Sequence, residues 1–157
     1  MEADFPNPSE LRMAAMNYLA MREHSAKELR EKLSRKYSQW PELVESVVDR
    51  LATESLQSDE RFTSAFVAMR QRQGKGSQLI RLELRERGID SDLIAQYLDE
   101  SDASWGELAC VARIKRFGSA VPGDQRERTK QMRFLQARGF SGRHIQQAFS
   151  PDSDDCF

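Results

Sequence analysis

The sequence predicts an all-α protein, built as an elongated, curved array of three tandem three-helix repeats. Apolar residues recur at helical spacing, cap residues stand where helices would begin and end, and one stretch of the chain recurs at a fixed interval. No stretch alternates between apolar and polar residues as a half-buried strand does. The chain has 157 residues, of which 31% are charged and 39% hydrophobic, and this favours a shape with much surface.

Helical periodicity begins near the N-terminus and recurs along the chain. Leu11, Ala14, Ala15 and Tyr18 follow the spacing of one apolar face of an amphipathic helix, and a similar pattern starts at Trp105. About nine such segments can be separated. The sequence therefore predicts about nine helices.

Cap residues support these helix starts. Ser25 with Glu28, and Ser104 with Glu107, have the spacing of a capping box, in which each side chain bonds a free backbone amide of the other residue. Pro41 suits a first helical turn, where its missing N–H costs nothing. We therefore expect helices to begin at these positions.

Two glycines are expected to end helices. Gly88 and Gly139 each follow a helical stretch that ends in arginine. A helix commonly ends on a residue in the left-handed conformation, which glycine adopts without steric cost. We therefore predict a positive φ at both glycines.

Leucines at a fixed interval indicate an internal repeat. Leu33, Leu84 and Leu135 are 51 residues apart, and each is followed three residues later by a basic residue. A period of this length is typical of stacked units, each too small to bury its own apolar face. We predict one domain over residues 1–157, with repeat 1 at about 9–56, repeat 2 at about 57–100, repeat 3 at about 101–150 and an acidic tail at 151–157.

The net charge of −1 conceals a segregation of charge. Segments 22–36, 70–87 and 113–143 together hold 21 basic and 7 acidic residues, which leaves 3 basic and 18 acidic residues elsewhere. In a stacked array these segments would line up as a basic stripe suited to phosphates or an acidic protein groove. The alternative is that these are ordinary solvated helix charges, some paired at i+4.

Ten cations from these segments are predicted to bind the partner, by pairing with its carboxylates or phosphates. They are Arg22, Lys27, Arg30, Arg70, Arg72, Lys75, Arg81, Arg85, Arg133 and Arg138.

Catalytic chemistry is not predicted, and neither is a cofactor or a metal. The glycines around Lys75 lack the spacing of a phosphate-binding loop, and a tight connection between helices explains them better. The two histidines, His24 and His144, are too few for a metal cluster. We expect His24 to pack beside the Ser25 cap and His144 to face solvent.

The sequence predicts a cytoplasmic monomer. No run of about 18 apolar residues is present, so no membrane span is expected. The first ten residues, MEADFPNPSE, lack the basic and apolar segments of a secretion signal.

Four strings of the sequence resemble the bacterial RecX regulatory proteins. They are LAMREHSAKELREKL from Leu19, SDERFTSAFVAMRQRQGKG from Ser58, IRLELRERGI from Ile80 and RFLQARGFSGRHI from Arg133. The resemblance runs from about Ser9 to Phe149, with the strings in the family's order.

The resemblance implies a function that the residues alone do not. A RecX-like protein would bind the RecA recombinase filament, block its extension and inhibit its recombinase, ATPase and coprotease activities. One alternative is a protein whose target is single- or double-stranded DNA, with a secondary effect on RecA. Another is a helical-repeat adaptor for some other acidic protein.

One loop departs from the family pattern. The family has an aromatic residue, Gly-Pro and a basic residue after the glycines, whereas here Lys75 is followed by Gly76 and then Ser-Gln-Leu at 77–79. Without the proline that fixes φ, the loop is expected either to contact its partner differently or to be looser.

Overall fold

The computed structural model describes residues 5–150, so the predicted acidic tail at 151–157 lies outside the described residues. Within that range the chain forms nine α-helices and no strand, which confirms the all-α prediction. The helices are α1 Pro8–Met21, α2 Ala26–Lys36, α3 Pro41–Thr53, α4 Asp59–Arg72, α5 Ser77–Glu86, α6 Ser91–Tyr97, α7 Ser104–Phe117, α8 Gln125–Ala137 and α9 Gly142–Ala148.

The start of α2 is fixed by the predicted capping box. Ser25 Oγ accepts a hydrogen bond from the Glu28 amide at 3.1 Å, and Glu28 Oε1 accepts one from the Ser25 amide at 3.0 Å. Pro41 occupies the first turn of α3, also as predicted.

The second predicted capping box is wrong. Helix α7 begins at Ser104, but its cap residue is Ala103 and no side chain makes the capping bond. The Ser104 amide donates instead to Asp102 Oδ1 at 2.9 Å. An aspartate two residues upstream therefore satisfies the amide locally, and this competes with the helix cap.

The two predicted C-terminal glycines are confirmed. Gly88 has φ +76° and Gly139 has φ +96°, both in the left-handed region. At Gly139 an added Cβ would lie 2.3 Å from Leu79 Cβ, so the position also lacks room for a side chain.

The repeated leucines are buried as the 51-residue interval predicts. Leu33 is 1% exposed, and Leu84 and Leu135 are 0% exposed. Each lies in the second helix of its predicted repeat, namely α2, α5 and α8. The prediction that all three leucines are buried is therefore confirmed.

Contacts along the chain define two compact units. Among the described residues, unit 1 contains 5–65 together with Arg85–Leu93. Unit 2 contains Phe66–Leu84 and 94–150. The core of unit 1 joins α1, α2 and α3 around Leu11, Leu29 and Leu51, each fully buried.

The core of unit 2 joins α7, α8 and α9. Ala109, Leu135 and Ala148 are fully buried within it. A loop also belongs to this unit: the Gly76 amide donates to the Arg138 carbonyl at 2.8 Å. The next hydrogen bond, from Gln78 to the Gly139 carbonyl, measures 2.9 Å.

The loop that departs from the family pattern is therefore held in place. An added Cβ on Gly76 would lie 2.3 Å from the Phe140 amide nitrogen, so the two backbones touch. Glycine permits this close approach because it has no Cβ. These contacts favour the first expectation, a loop that contacts its partner differently, over a looser loop, and both remain predictions.

Candidate partner-binding surface

In unit 1, Arg30 of α2 faces acidic residues of α3. Its Nε lies 3.1 Å from Glu45 Oε2, and one terminal nitrogen lies 4.0 Å from Asp49 Oδ1. The side chain is 37% exposed. Pairing with the neighbouring helix occupies much of the charge that was predicted to meet a partner.

Arg22, at the end of α1, pairs with Glu28 in the first turn of α2. Its guanidinium donates to both carboxylate oxygens of Glu28, at 3.3 and 3.1 Å. Burial alone would raise the pKa of Glu28, but hydrogen bonds from Arg22 and the Ser25 amide hold that pKa below its ordinary value. Arg22 thus links the end of α1 to the capping box that begins α2.

Lys27 reaches the end of α5. Its Nζ donates to the Glu86 carbonyl at 2.8 Å and lies 4.0 Å from Glu31 Oε1. This bond satisfies one of the free carbonyls at a helix C-terminus. Arg85, on the same part of α5, is exposed and has no acidic partner among the described residues.

Two of the predicted cations in unit 2 are also ion-paired. Arg70 binds Glu83 and lies over the Phe66 ring, with 5.2 Å from Cζ to the ring centroid. Arg81 lies 2.8 Å from Glu100 Oε1.

The remaining predicted cations have no acidic partner within residues 5–150. Arg72 and Arg133 are exposed, and Lys75 is half-buried. Arg138 is half-buried, donates to the Gln73 carbonyl at 3.4 Å and lies over the Phe134 ring. These side chains keep their charge available.

The basic residues outside the three basic segments are all ion-paired. Arg12 and Arg50 both pair with Glu54, and Arg61 pairs with Glu23. Across the part of the chain that the structure describes, every cation without an acidic partner therefore lies in 22–36, 70–87 or 113–143.

A groove in unit 2 collects several of these cations. It has a volume of about 340 Å³ and is lined by the end of α4, by α7 and by α8. Its apolar surface includes Leu108, Val111 and Ala112, and none of the described residues lining it is acidic. Four cations line it: Arg72, Lys115, Arg116 and Arg138.

Two cations of this groove, Lys115 and Arg116, were not among the ten predicted residues. They lie in the last turn of α7, where a basic residue also complements the helix dipole. The sequence signal was their place in segment 113–143 beside Phe117. What the sequence lacked was the end of α4, which brings Arg72 to the same groove.

His24 is a packing residue, as predicted. It is 1% exposed; its Nδ1 lies 3.1 Å from the Arg22 carbonyl and its Nε2 lies 2.8 Å from Lys32 Nζ. A carbonyl only accepts and an ammonium only donates, so the ring is neutral with its proton on Nδ1. Burial lowers the pKa of His24, and the charges of Arg22 and Lys32 act in the same direction.

His144 does not face solvent, which corrects the sequence prediction. It is 2% exposed, its Nε2 donates to the Glu100 carbonyl at 2.8 Å, and its ring stacks on Trp105. The reason is tertiary: α9 packs closely on α7. Among residues 5–150, no group of three His, Cys, Asp or Glu side chains could hold a metal ion. No helix in this range is long and apolar enough to span a membrane.

Within residues 5–150, nine helices in three successive sets, a basic groove and exposed cations without acidic partners define a helical-repeat protein with a surface suited to an anionic partner. Models of the RecX family match the chain three times: the first three-helix domain at 12–51, the second at 58–98 and the third at 107–149. The chain belongs to the RecX family of regulatory proteins.

RecX regulatory proteins of other bacteria are similar in sequence to most of this chain. The regulatory protein RecX of Halorhodospira halophila is 38% identical over 92% of this chain and 89% of its own length. That of Ectopseudomonas mendocina is 44% identical over 86% of this chain and 89% of its own. The crystal structure of RecX from Lactobacillus salivarius covers 90% of this chain and 93% of its own, with a TM-score of 0.69 and 23% identity. That structure supports the fold.

Proposed function

We propose that this chain binds the RecA recombinase filament and inhibits its extension and its recombinase, ATPase and coprotease activities. The single observation that carries the proposal is the succession of three RecX three-helix domains along the chain. The family is one of regulators rather than enzymes, so the effect would come from binding.

The charge distribution supports binding to an anionic partner. Exposed cations without acidic partners, such as Arg72, Arg85 and Arg133, lie only in the three basic segments of residues 5–150. Each such contact is weak and screened over about 8–10 Å at physiological salt. Several contacts made at once add up, because the later ones form at high effective concentration.

The test is the ATPase activity of RecA on single-stranded DNA, with this protein titrated in. We expect hydrolysis to fall with increasing protein, and to fall more when the protein is added during filament growth. The protein alone should hydrolyse no ATP. Unchanged RecA activity at saturating protein would overturn the proposal.

DNA itself is the second candidate partner, favoured by exposed cations outside the groove that have no acidic partner within residues 5–150, such as Arg85 and Arg133. Binding to free DNA should weaken with a log–log salt slope of about −0.7 to −0.9 per phosphate contact. Binding to a preformed filament should fall less steeply if protein contacts carry much of the affinity. Equal slopes and equal affinities for naked DNA and filament would favour the DNA-binding function.

We further propose that the protein acts as a monomer in the cytoplasm, where RecA filaments would form. The ten predicted cations and the repeat boundaries given above remain part of this proposal. Light scattering at micromolar concentration tests the oligomeric state, for which we expect the mass of one chain.

A further inference from the structure

The aromatic rings beside the basic groove of unit 2 already have neighbours on their faces. Arg138 Cζ lies 5.2 Å from the Phe134 centroid, and Phe117 packs on Phe134 edge to face with centroids 5.3 Å apart. Arg116 and Lys130 lie 5.5 and 6.0 Å from the Phe117 centroid. A nucleobase stacks on an open aromatic face, and to stack on the faces that these cations occupy it would first have to displace them.

Apart from the Phe134 ring, the apolar surface of the groove is aliphatic. Val111 is 37% exposed, and Leu108 and Ala112 line the groove beside it. Aliphatic surface of this kind gains free energy by covering an apolar side chain. It offers nothing comparable to a phosphate or a sugar.

We propose that this groove binds an acidic polypeptide segment. One apolar side chain of the segment packs on Leu108, Val111 and Ala112. Carboxylates on either side of it pair with the surrounding cations, for which the arginine fork is well suited. Those cations are Arg72, Lys115, Arg116 and Arg138.

The two kinds of contact have separate roles. Cations attract any polyanion and set the dependence on salt, whereas the aliphatic floor distinguishes a peptide from a nucleic acid. This inference rests on the proposed function only for the source of the segment, which would be the filament. The chemistry of the groove can be tested without RecA.

The first experiment measures fluorescence anisotropy of labelled probes with the full-length protein. The probes are a 12-residue peptide of aspartate and glutamate with one central leucine, the same peptide with serine in place of leucine, and a dT oligonucleotide of equal length. We expect the leucine peptide to bind about tenfold more tightly than the serine peptide. The oligonucleotide should not displace it at equal concentration.

Matched variants locate the binding to the groove. Val111→Asn changes no charge at an exposed position, and it should make the leucine and serine peptides bind equally. Reversing Lys115 and Arg116 to glutamate should weaken both peptides about tenfold. Reversing two exposed cations outside the groove, Arg126 and Arg143, changes the net charge equally and should leave binding within about twofold. Circular dichroism on each variant checks that the helices remain.

Each contrary result overturns the inference. Equal affinity of the wild-type protein for the leucine and serine peptides would show that the central leucine makes no apolar contact with the groove. Displacement of the peptide by the oligonucleotide would make the groove a nucleic-acid site. No saturable binding up to about 1 mM peptide would remove the site altogether.

Failure of the groove and failure of the proposed function give different results. If the peptides bind as expected but the wild-type protein does not inhibit RecA, the groove still binds an acidic segment, but the RecA filament is not the source of that segment. If the wild-type protein inhibits RecA and Val111→Asn inhibits equally, the proposed function stands and the groove is not the contact.

Discussion

At the scale of single residues, identical cations take different roles because of their neighbours. Arg30 pairs with Glu45 of the next helix and Arg81 with Glu100, whereas Arg72 has no acidic partner among residues 5–150. The partners of Arg30 and Arg81 lie 15 and 19 residues away, beyond the i+4 distance that a sequence pattern reveals. The choice among cations therefore requires the structure.

His24 gives a prediction about pH at this scale. Its folded-state pKa is lowered, chiefly by burial, so the unfolded chain binds more protons than the folded one in mildly acidic solution. Its contribution is therefore fully present above about pH 6.5 and is lost as the pH falls further, towards the lower folded-state pKa. We expect His24→Gln to lower stability by about 1–2 kcal/mol at pH 7.5.

The test is urea unfolding of the wild type and His24→Gln between pH 5 and 8. The difference in unfolding free energy should shrink below about pH 6.5, since the variant has no proton to take up there. A difference that stays constant across this range would show that His24 acts by packing alone.

At the scale of helices and turns, local features were predictable and tertiary ones were not. The Ser25 capping box and the left-handed Gly88 depend on residues within one turn, and both predictions are confirmed. The predicted capping box at Ser104 is wrong because Asp102 accepts the hydrogen bond of the Ser104 amide. The predicted exposure of His144 is wrong because α9 packs on α7 and buries it. The basic groove was missed for the second reason, since it needs α4 beside α7 and α8.

Gly139 offers a test of the docked loop. Gly139→Ala should destabilise the protein by about 2–4 kcal/mol, because its φ is +96° and the new Cβ would meet Leu79. Gly142→Ala is the matched control: nothing lies within 4 Å of its Cβ position, and alanine favours the helix. Its stability should equal or slightly exceed that of the wild type in thermal unfolding. Equal stability of the two variants would show that the loop is not held at Gly139.

The repeated leucines predict equivalent energetics in three helices. Leu33, Leu84 and Leu135 are buried to the same degree, so truncating any one to alanine should cost about 2–5 kcal/mol. Leu82, 52% exposed on the same helix as Leu84, is the control, and its replacement by alanine should lower the free energy of unfolding by under about 1 kcal/mol. Denaturant unfolding measures each value. If replacing one of the three buried leucines lowers stability no more than replacing Leu82, the repeats are not equivalent.

At the scale of the whole molecule, the sequence predicted the segregation of charge but not which cations remain unpaired after folding. The count of 21 basic and 7 acidic residues in three segments needs no structure. Which cations remain unpaired depends on acidic residues brought in by folding, as Glu45 is to Arg30. A test of the basic surface must therefore separate direct contacts of individual cations from the electrostatic field of the whole protein.

Two triple variants with the same change in net charge make that separation. The first reverses Arg72, Arg85 and Arg133 to glutamate, three predicted contacts that are exposed. The second reverses three other exposed cations of the basic segments, which are Arg35, Arg126 and Arg143. Neither set has an acidic partner within residues 5–150, so each substitution should change stability by under about 0.5 kcal/mol.

Inhibition of RecA ATPase should then distinguish the two variants. Direct contacts act over hydrogen-bond distances, whereas the field of the whole protein mainly changes the association rate and is screened by salt. We expect the first variant to need about tenfold more protein for half-inhibition at 150 mM salt, and the second to stay within about twofold of the wild type. Equal losses that vanish together at high salt would mean that net charge alone steers the protein. Full inhibition by the first variant would show that Arg72, Arg85 and Arg133 do not form the contact.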